Sequence, residues 1–553
     1  MKIAAHIVGL AVMVAASASA GGISPELDEA LQQAERSGEP VAVVLTLAHP
    51  PPLPLTHGRN PTSLLQALQV RFSESFGDIL GRLRASAGVA AVRESWAASM
   101  VAFRAPAEVI RSLDPGEMFE LDLDHVLELP RAEPRPAAAA GGAEPGLSVI
   151  NAPKLWELGI TGEGVTVMNL DTGVDLGHPA LYGSWRGHRR PASEAWFDPV
   201  YGTATPRDYG IDPVGHGTMT MGVMVGLDPL MGDTVGVAFG AEWMAAGDSI
   251  ISISQQVACL QWALDPDGNP QTVEDMPDVI NCSWTRANPG CKETGLTEII
   301  SVLEAAGVAV VFAAGNDGPA PGSVRWPARM NRTETDVFAV GYVDGHDPLL
   351  PLATNSGRGP TECTGQGDQI KPEVVAPGVD VRTTWLAGQY ATVSGSSFST
   401  PHVSGALALL KQAFPEKSGT ELKLLLRQSA RDLGEDGEDN AYGSGCIDVY
   451  AAYLLGRASS VSQRPAPSWS LDQNYPNPFN PVTQIGYRIP VRTHVRLTVY
   501  NLPGLEVARL VDGVLEPGAH QAVFDGRGLS SGVYFCRMVA GDFTASRMLL
   551  LLR

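Results

Sequence analysis

Tyr390–Leu410 reads YATVSGSSFSTPHVSGALALL, and the fold of the longest part of the chain is decided there. A short apolar segment runs into Gly395, a cluster of hydroxyls follows at Ser396, Ser397, Ser399 and Thr400, and Pro401 opens an apolar run. Val403, Ala406, Leu407, Leu409 and Leu410 fall on or near one face of a 3.6-residue period, which predicts a helix. Pro401 suits the first turn of that helix, where a missing N–H costs no hydrogen bond. A serine just ahead of it would lie among unpaired backbone N–H groups, at the positive end of the helix dipole. That setting favours an oxygen nucleophile whose attack creates negative charge. Hydroxyls are also ordinary helix caps, and this stretch alone supports both readings.

Outward from it, residues 147–455 alternate apolar strands with helices, as in an α/β fold with a largely parallel sheet flanked by helices. The strands GVTVMNLD, DVINCSW, VAVVFAAGN and DVFAVGYV are almost continuously apolar, which suits strands covered on both faces. Sites in such sheets lie at the carboxyl ends of the strands. Asp171 directly follows VTVMNL, Asn316 ends VAVVFAAG, and His216 stands between glycines in GHGTMTMGVMVG. Taken singly, Asp171 could cap a helix, His216 could be structural, and Asn316 could serve a turn. Asp171-Thr172-Gly173 also suggests an aspartic protease. That chemistry needs a second carboxylate sharing a proton; the sequence has no second Asp-Thr-Gly, and the mechanism leaves His216 and the serines without a role.

Taken together, the order Asp171, His216, Ser397 and the motifs DTGVDLGHP, GHGT, AAGN and GSSFSTPHVSG resemble the subtilisin-like serine proteases, the subtilases. WFDPVYG, LQWALDPDGNP, DVINCSW and IKPEVVAPGVDV look like their bacillopeptidase F-like branch. The resemblance implies a serine endopeptidase with Ser397 as nucleophile, His216 as general base and acid, and Asp171 orienting the imidazole. It gives Asn316 and the Ser397 N–H as the oxyanion hole, and Ser283, Trp284, Ala313, Gly315 and Arg325 as substrate-binding residues. Ser396 stands where threonine is usual. Met219 follows GHGT, and Thr285 and Arg286 stand where the family often has glycines. In GSVRWPA, Arg325 occupies the base of the P1 pocket, where it would pair with an acidic substrate side chain, or else turn to solvent or to one of the protein's own acids. No cofactor is required. Calcium is possible without an identifiable site, because Ala180 stands where calcium-binding relatives carry an aspartate.

A chain of 553 residues should hold about two to four units. Residues 1–20 read as a signal peptide, with Lys2, an apolar core and Ala18-Ser19-Ala20. That core is too short to span a membrane, and no later stretch is long enough. Residues 21–130 form a small α+β unit with no catalytic constellation: the strand VAVVLTLA, a helix from Ser63 to Ala87, the strand SMVAFRA, the short helix AEVIRSL and the extended EMFELDLDHVLEL. The tract 131–146, RAEPRPAAAAGGAEPG, reads as an exposed, cleavable linker. Beside the subtilase resemblance, 21–130 takes the place of an inhibitory propeptide. Residues 456–470 form a Ser/Pro linker, and 471–553 carry short strands between Gly/Pro turns, as in a β-sandwich. The run from NYPNPFNP through VYN to GVYF resembles the C-terminal sorting domains of type IX secretion.

The formal net charge of −21 argues against nucleic acid and anionic membranes as partners. The expected partners are protein or peptide substrates, the chain's own propeptide and an export machinery that delivers it outside the cell across an outer membrane. Six cysteines in so long a chain are no disulfide scaffold and show no zinc spacing; export permits disulfides, whose pairing the sequence does not give. The competing reading is an exported surface protein on an inactive subtilase scaffold, to which Met219, Thr285 and Arg286 point.

Overall fold

The computed structural model describes residues 23–51, 53, 61–113, 118–125, 133–138, 140–209, 215–247, 252–286, 291, 295–330, 336–363, 369–462, 469–474, 476–541 and 543–552. The expected signal peptide lies outside them. The chain divides into two compact units, Met1–Leu455 and Gly456–Arg553.

At the centre of the first unit is a seven-stranded sheet in which every pairing is parallel. Its spatial order is Val374–Pro377, Phe338–Val343, Ala309–Ala313, Val279–Cys282, Thr166–Asp171, Glu242–Gly247 and Trp196–Phe197. The five strands from Val374–Pro377 to Thr166–Asp171 are buried along their whole length, so their apolar runs serve a core on both faces. The helices His216–Val225 and Ser396–Ala413 pack together against this sheet and bring their N-termini to the carboxyl ends of the central strands.

The helix at Ser396 departs from expectation in one respect. It starts five residues before Pro401, which therefore sits inside the helix and not in its first turn. A proline there leaves the carbonyl of the residue four positions back without its helical donor. That carbonyl belongs to Ser397, and the Ser283 hydroxyl donates to it at 2.8 Å.

The N-terminal part is a four-stranded antiparallel sheet in the order Ala90–Ser95, Met100–Ala105, Val41–Leu47 and Phe119–Leu123. The long helix Pro61–Ala85 packs Phe72, Phe76 and Ile79 into a core of its own with Leu27, Phe103 and Leu121. Leu64, Leu65, Leu68, Ala98 and Met100 instead enter the main core. Polar contacts fix this junction to two helices of the main body, Ile253–Leu264 and Gly295–Ala305. Glu298 pairs with Arg71 at 2.6 Å and accepts from the Ser99 hydroxyl at 2.9 Å. Gln261 accepts from the Ala97 N–H, and Asp124 takes the Ser254 N–H and hydroxyl near the start of its helix.

The tract expected as an exposed linker is largely exposed where it is described, and two short segments of it pair with the main body. Arg135–Ala137 pairs antiparallel with Gln389–Val393, and Gly142–Ala143 pairs parallel with Asp233–Thr234. Arg135 pairs with Asp380, the Ala140 N–H donates to Asp233, and Glu144 is buried. Backbone pairing needs no apolar side chains, so a Pro/Ala/Gly composition does not exclude it. The first two residues of the tract, 131 and 132, lie outside the described residues, as does 139.

In the second unit, one sheet holds Ser470–Leu471, Val482–Ile489 and Gly518–Asp525, and the other Glu506–Leu515, Thr493–Asn501, Gly532–Ala540 and Phe543–Leu551. Val482–Ile489 alternates exposed and buried side chains, and Ile485, Tyr487, Leu497, Phe524 and Leu549 share the core of a β-sandwich. The helix Val449–Ser462 runs past the expected start of the Ser/Pro linker, because the apolar Tyr453 and Leu455 still find the core of the first unit. Among the described residues no helix is long and apolar enough to cross a membrane. Cys291 and Cys363 form a disulfide; Cys259, Cys282, Cys446 and Cys536 are buried thiols.

Candidate active site

Asp171 ends the central strand Thr166–Asp171 and is buried. His216 is the first residue of its helix, which Gly215 enters with φ 85°. The helix approaches the Asp-Thr-Gly turn so closely that a Cβ on Gly217 would lie 2.1 Å from the Gly173 carbonyl oxygen; only glycine fits. This approach puts His216 Nδ1 2.8 Å from Asp171 Oδ1 and 2.9 Å from Oδ2. The Thr172 N–H also donates to Oδ1, at 2.7 Å. Burial alone would lower the His216 pKa, but the charge and hydrogen bond of Asp171 outweigh it and the net shift is upward. Nε2 is enclosed and has no hydrogen-bond partner among the described residues.

Ser397 is the second residue of the serine helix, and the ring of the adjacent Phe398 lies 5.7 Å from that of His216, centroid to centroid. Its hydroxyl donates to the Ser283 carbonyl at 3.1 Å and makes no hydrogen bond to the imidazole. Asn316 Oδ1 accepts from the Ser396 N–H at 2.9 Å and from the Ser396 hydroxyl at 3.0 Å. With its oxygen held there, the amide nitrogen faces past Gly395, where a Cβ would lie 3.3 Å away. Ser396 Oγ also accepts from the Gly315 N–H, so the residue standing in for threonine fixes the orientation of Asn316.

Several residues that tie the site together carry no motif. Asn169 donates to the Gly217 carbonyl at the histidine helix and accepts from Asn281 Nδ2. Asn281 also donates to Ser283 Oγ, and Ser283 reaches the Ser397 carbonyl. This fully buried chain links both helices through two adjacent strands. Its sequence signal was available: an asparagine inside each of the apolar runs VMNLD and VINCS. Asp208 accepts from the Thr172 hydroxyl and from the N–H and hydroxyl of Thr218, bracing the first turn of the histidine helix.

The expected substrate-binding residues divide. Ser283 and Gly315 lie beside Ser397 and Asn316. Ala313 is the last residue of its strand and is buried. Trp284 is not a surface for substrate: it is 1% exposed and packs edge-on against Phe312 in the core. Arg325 abuts Gly315, but its guanidinium grips the Asp317 carboxylate through Nε and Nη2. Of the two alternatives the sequence left open, the structure has the internal ion pair. Met219 is fully buried with Val223, Val393 and Phe398, a packing residue under the histidine helix. Arg286 stacks over Trp326 and bonds to its carbonyl.

Comparison with known proteins falls on the same segments. The model of the subtilase family matches residues 162–445, and that of the secretion system C-terminal sorting domain matches residues 473–551. Bacillopeptidase F of Bacillus subtilis (strain 168) is 34% identical over 335 residues, covering 57% of this chain and 22% of that protein. An alkaline protease of Alkalihalobacillus alcalophilus is 32% identical over 340 residues, 62% of this chain and 77% of the relative. Subtilisin Savinase of Lederbergia lenta is 34% identical over 307 residues, 56% of this chain and 97% of the relative.

Proposed function

Since the matched segment spans more than half of its residues, the chain belongs to the subtilase family, and we propose from that premise an exported serine endopeptidase working through Ser397, His216, Asp171 and Asn316. The observation that carries this reading is the buried Asp171–His216 hydrogen bond at 2.8 Å, set one side chain away from Ser397. A serine hydroxyl is a weak nucleophile at neutral pH and needs a base. A turn about the Ser397 Cα–Cβ bond releases the Ser283 carbonyl and brings Oγ toward Nε2, the one ring nitrogen left without a partner. His216 takes the proton as Oγ adds to the peptide carbonyl, and returns it to the leaving amine. Asp171 holds the proton on Nδ1 and stabilises the imidazolium. The oxyanion is received by the Asn316 amide and the Ser397 N–H, a donor that the start of a helix leaves unpaired. Water then repeats the sequence on the acyl-enzyme.

The N-terminal subdomain acts in this reading as an inhibitory propeptide docked on the helices Ile253–Leu264 and Gly295–Ala305, and the precursor cuts itself near the tract 131–146. The sorting domain at 473–551 delivers the enzyme outside the cell. A fluorophosphonate probe tests the central claim. The secreted, processed wild type should be labelled on Ser397, whereas Ser397→Ala should remain unlabelled and accumulate as precursor. Absence of label on the processed wild type would reduce the chain to a non-catalytic exported scaffold.

The Arg325–Asp317 pair makes a further expectation about selectivity. A guanidinium already neutralised by an internal carboxylate has little to gain from an acidic P1 side chain. Arg325→Gly should therefore leave the ratio of kcat/KM for peptides differing only in Glu or Leu at P1 unchanged within about threefold. A wild-type preference for Glu that vanished in the variant would put the guanidinium in the pocket after all.

A further inference from the structure

We infer that Asp265, Asp267 and Asp275, in the loop between the helix Ile253–Leu264 and the strand Val279–Cys282, bind a calcium ion. One carboxylate oxygen from each lies within 4.8 Å of the others. The decisive member is Asp275, which is 2% exposed and whose Oδ1 is enclosed with no hydrogen-bond partner. Asp265 Oδ1 is enclosed and unpartnered in the same way. A buried carboxylate oxygen without a donor is costly, and two beside a third carboxylate are more so. The other oxygens of Asp275 and Asp267 are already engaged. Asp275 Oδ2 accepts from the Asp267 N–H at 3.1 Å, and Asp267 accepts from the Asn269 N–H and the Thr272 hydroxyl, each at 2.7 Å. The nearby cation, Arg186, spends its donors on the main-chain carbonyls of Glu274 and Asp275.

A cation held by these carboxylates meets this need. All three groups are carboxylates, with neither imidazole nor thiolate among them, so the ion is a hard one. A loop that supplies irregularly placed oxygens and keeps water on the exposed Asp267 side suits calcium, which accepts six to eight oxygens in flexible geometry, better than magnesium. The loop's position gives the ion a role. Its helix carries the contacts of Asp124 and Ala97 from the N-terminal subdomain, and its strand leads to Ser283 beside the nucleophile. Bound calcium would stiffen the joint between these two. None of this depends on the catalytic assignment.

The test uses the full chain carrying Ser397→Ala, which removes self-digestion, stripped with a chelator and titrated with calcium chloride by calorimetry and thermal unfolding. One ion per chain is expected, with a midpoint rise of about 5 °C at a hundredfold excess over Kd. Both effects should vanish when Asp265→Asn and Asp275→Asn are added together. A chain that takes up no calcium overturns the site, as does one whose added substitutions leave stoichiometry and shift unchanged. Should the double variant fail to unfold cooperatively, the half-buried Asp265→Asn alone decides: affinity weakened tenfold or more supports the site, and unaltered affinity overturns it.

Discussion

Asp171→Asn is expected to lower kcat about ten-thousand-fold while KM stays within about threefold. The cause is the placement of hydrogens. The Thr172 N–H, 2.7 Å from Oδ1, would keep the asparagine carbonyl oxygen there, which puts the amide NH2 in the place of Oδ2, 2.9 Å from His216 Nδ1. Two donors cannot face each other, so the ring proton moves to Nε2 and the base is lost from the side facing Ser397. The variant also loses the charge that holds the His216 pKa up against burial. A base must be neutral to act, so the acid limb of the residual kcat/KM profile should move to lower pH. Protein processed in trans by a trace of wild-type enzyme, with an unchanged circular dichroism spectrum, is the material for the measurement. Retention of more than a tenth of the activity would remove Asp171 from the mechanism.

Asn316→Ala is the second large effect, with kcat reduced roughly a hundred- to a thousand-fold, about 2.7–4 kcal/mol of transition-state stabilisation. The alanine also strips the Ser396 N–H and hydroxyl of their acceptor, so part of any loss could be structural. Asn316→Asp separates the two. Its Oδ1 still serves Ser396, while the amide donor becomes a negative oxygen facing the developing oxyanion. An equal or deeper loss of kcat in the aspartate variant, with a melting temperature closer to wild type than the alanine variant, assigns the effect to the oxyanion. Near-normal turnover in Asn316→Asp would mean that Asn316 supports the loop only.

The parts of the site legible in the sequence are those where backbone geometry restricts residue choice. Asp171 and Asn316 end or follow apolar strands, and His216 sits between Gly215, with its positive φ, and Gly217, where no Cβ fits. Such positions leave a mark in a single sequence. Contacts between residues far apart leave none: Ser283 reaches Ser397 across 114 positions, and nothing local announces that its hydroxyl is needed. Arg325 and Asp317 are eight residues apart, but only a folded loop makes them a pair. Trp284 directly follows Ser283, which bonds to the nucleophile's carbonyl, yet it is core; neighbours along an extended chain point to opposite faces. The strand pairing within the tract 131–146 leaves no mark in the sequence either, because it is made by main-chain groups that every sequence has.

Pro401 has a consequence for the order of folding. In most helices the carbonyl of the second residue is satisfied as soon as the local turns form, within about a microsecond. Here the N–H that would do this is missing, and the Ser397 carbonyl waits for a hydroxyl delivered by a strand from more than a hundred residues upstream. Closing so long a loop is entropically expensive and comes late in folding. A partly folded chain is therefore expected to hold its serine helix without this bond until Ser283 and the strand before it are in place.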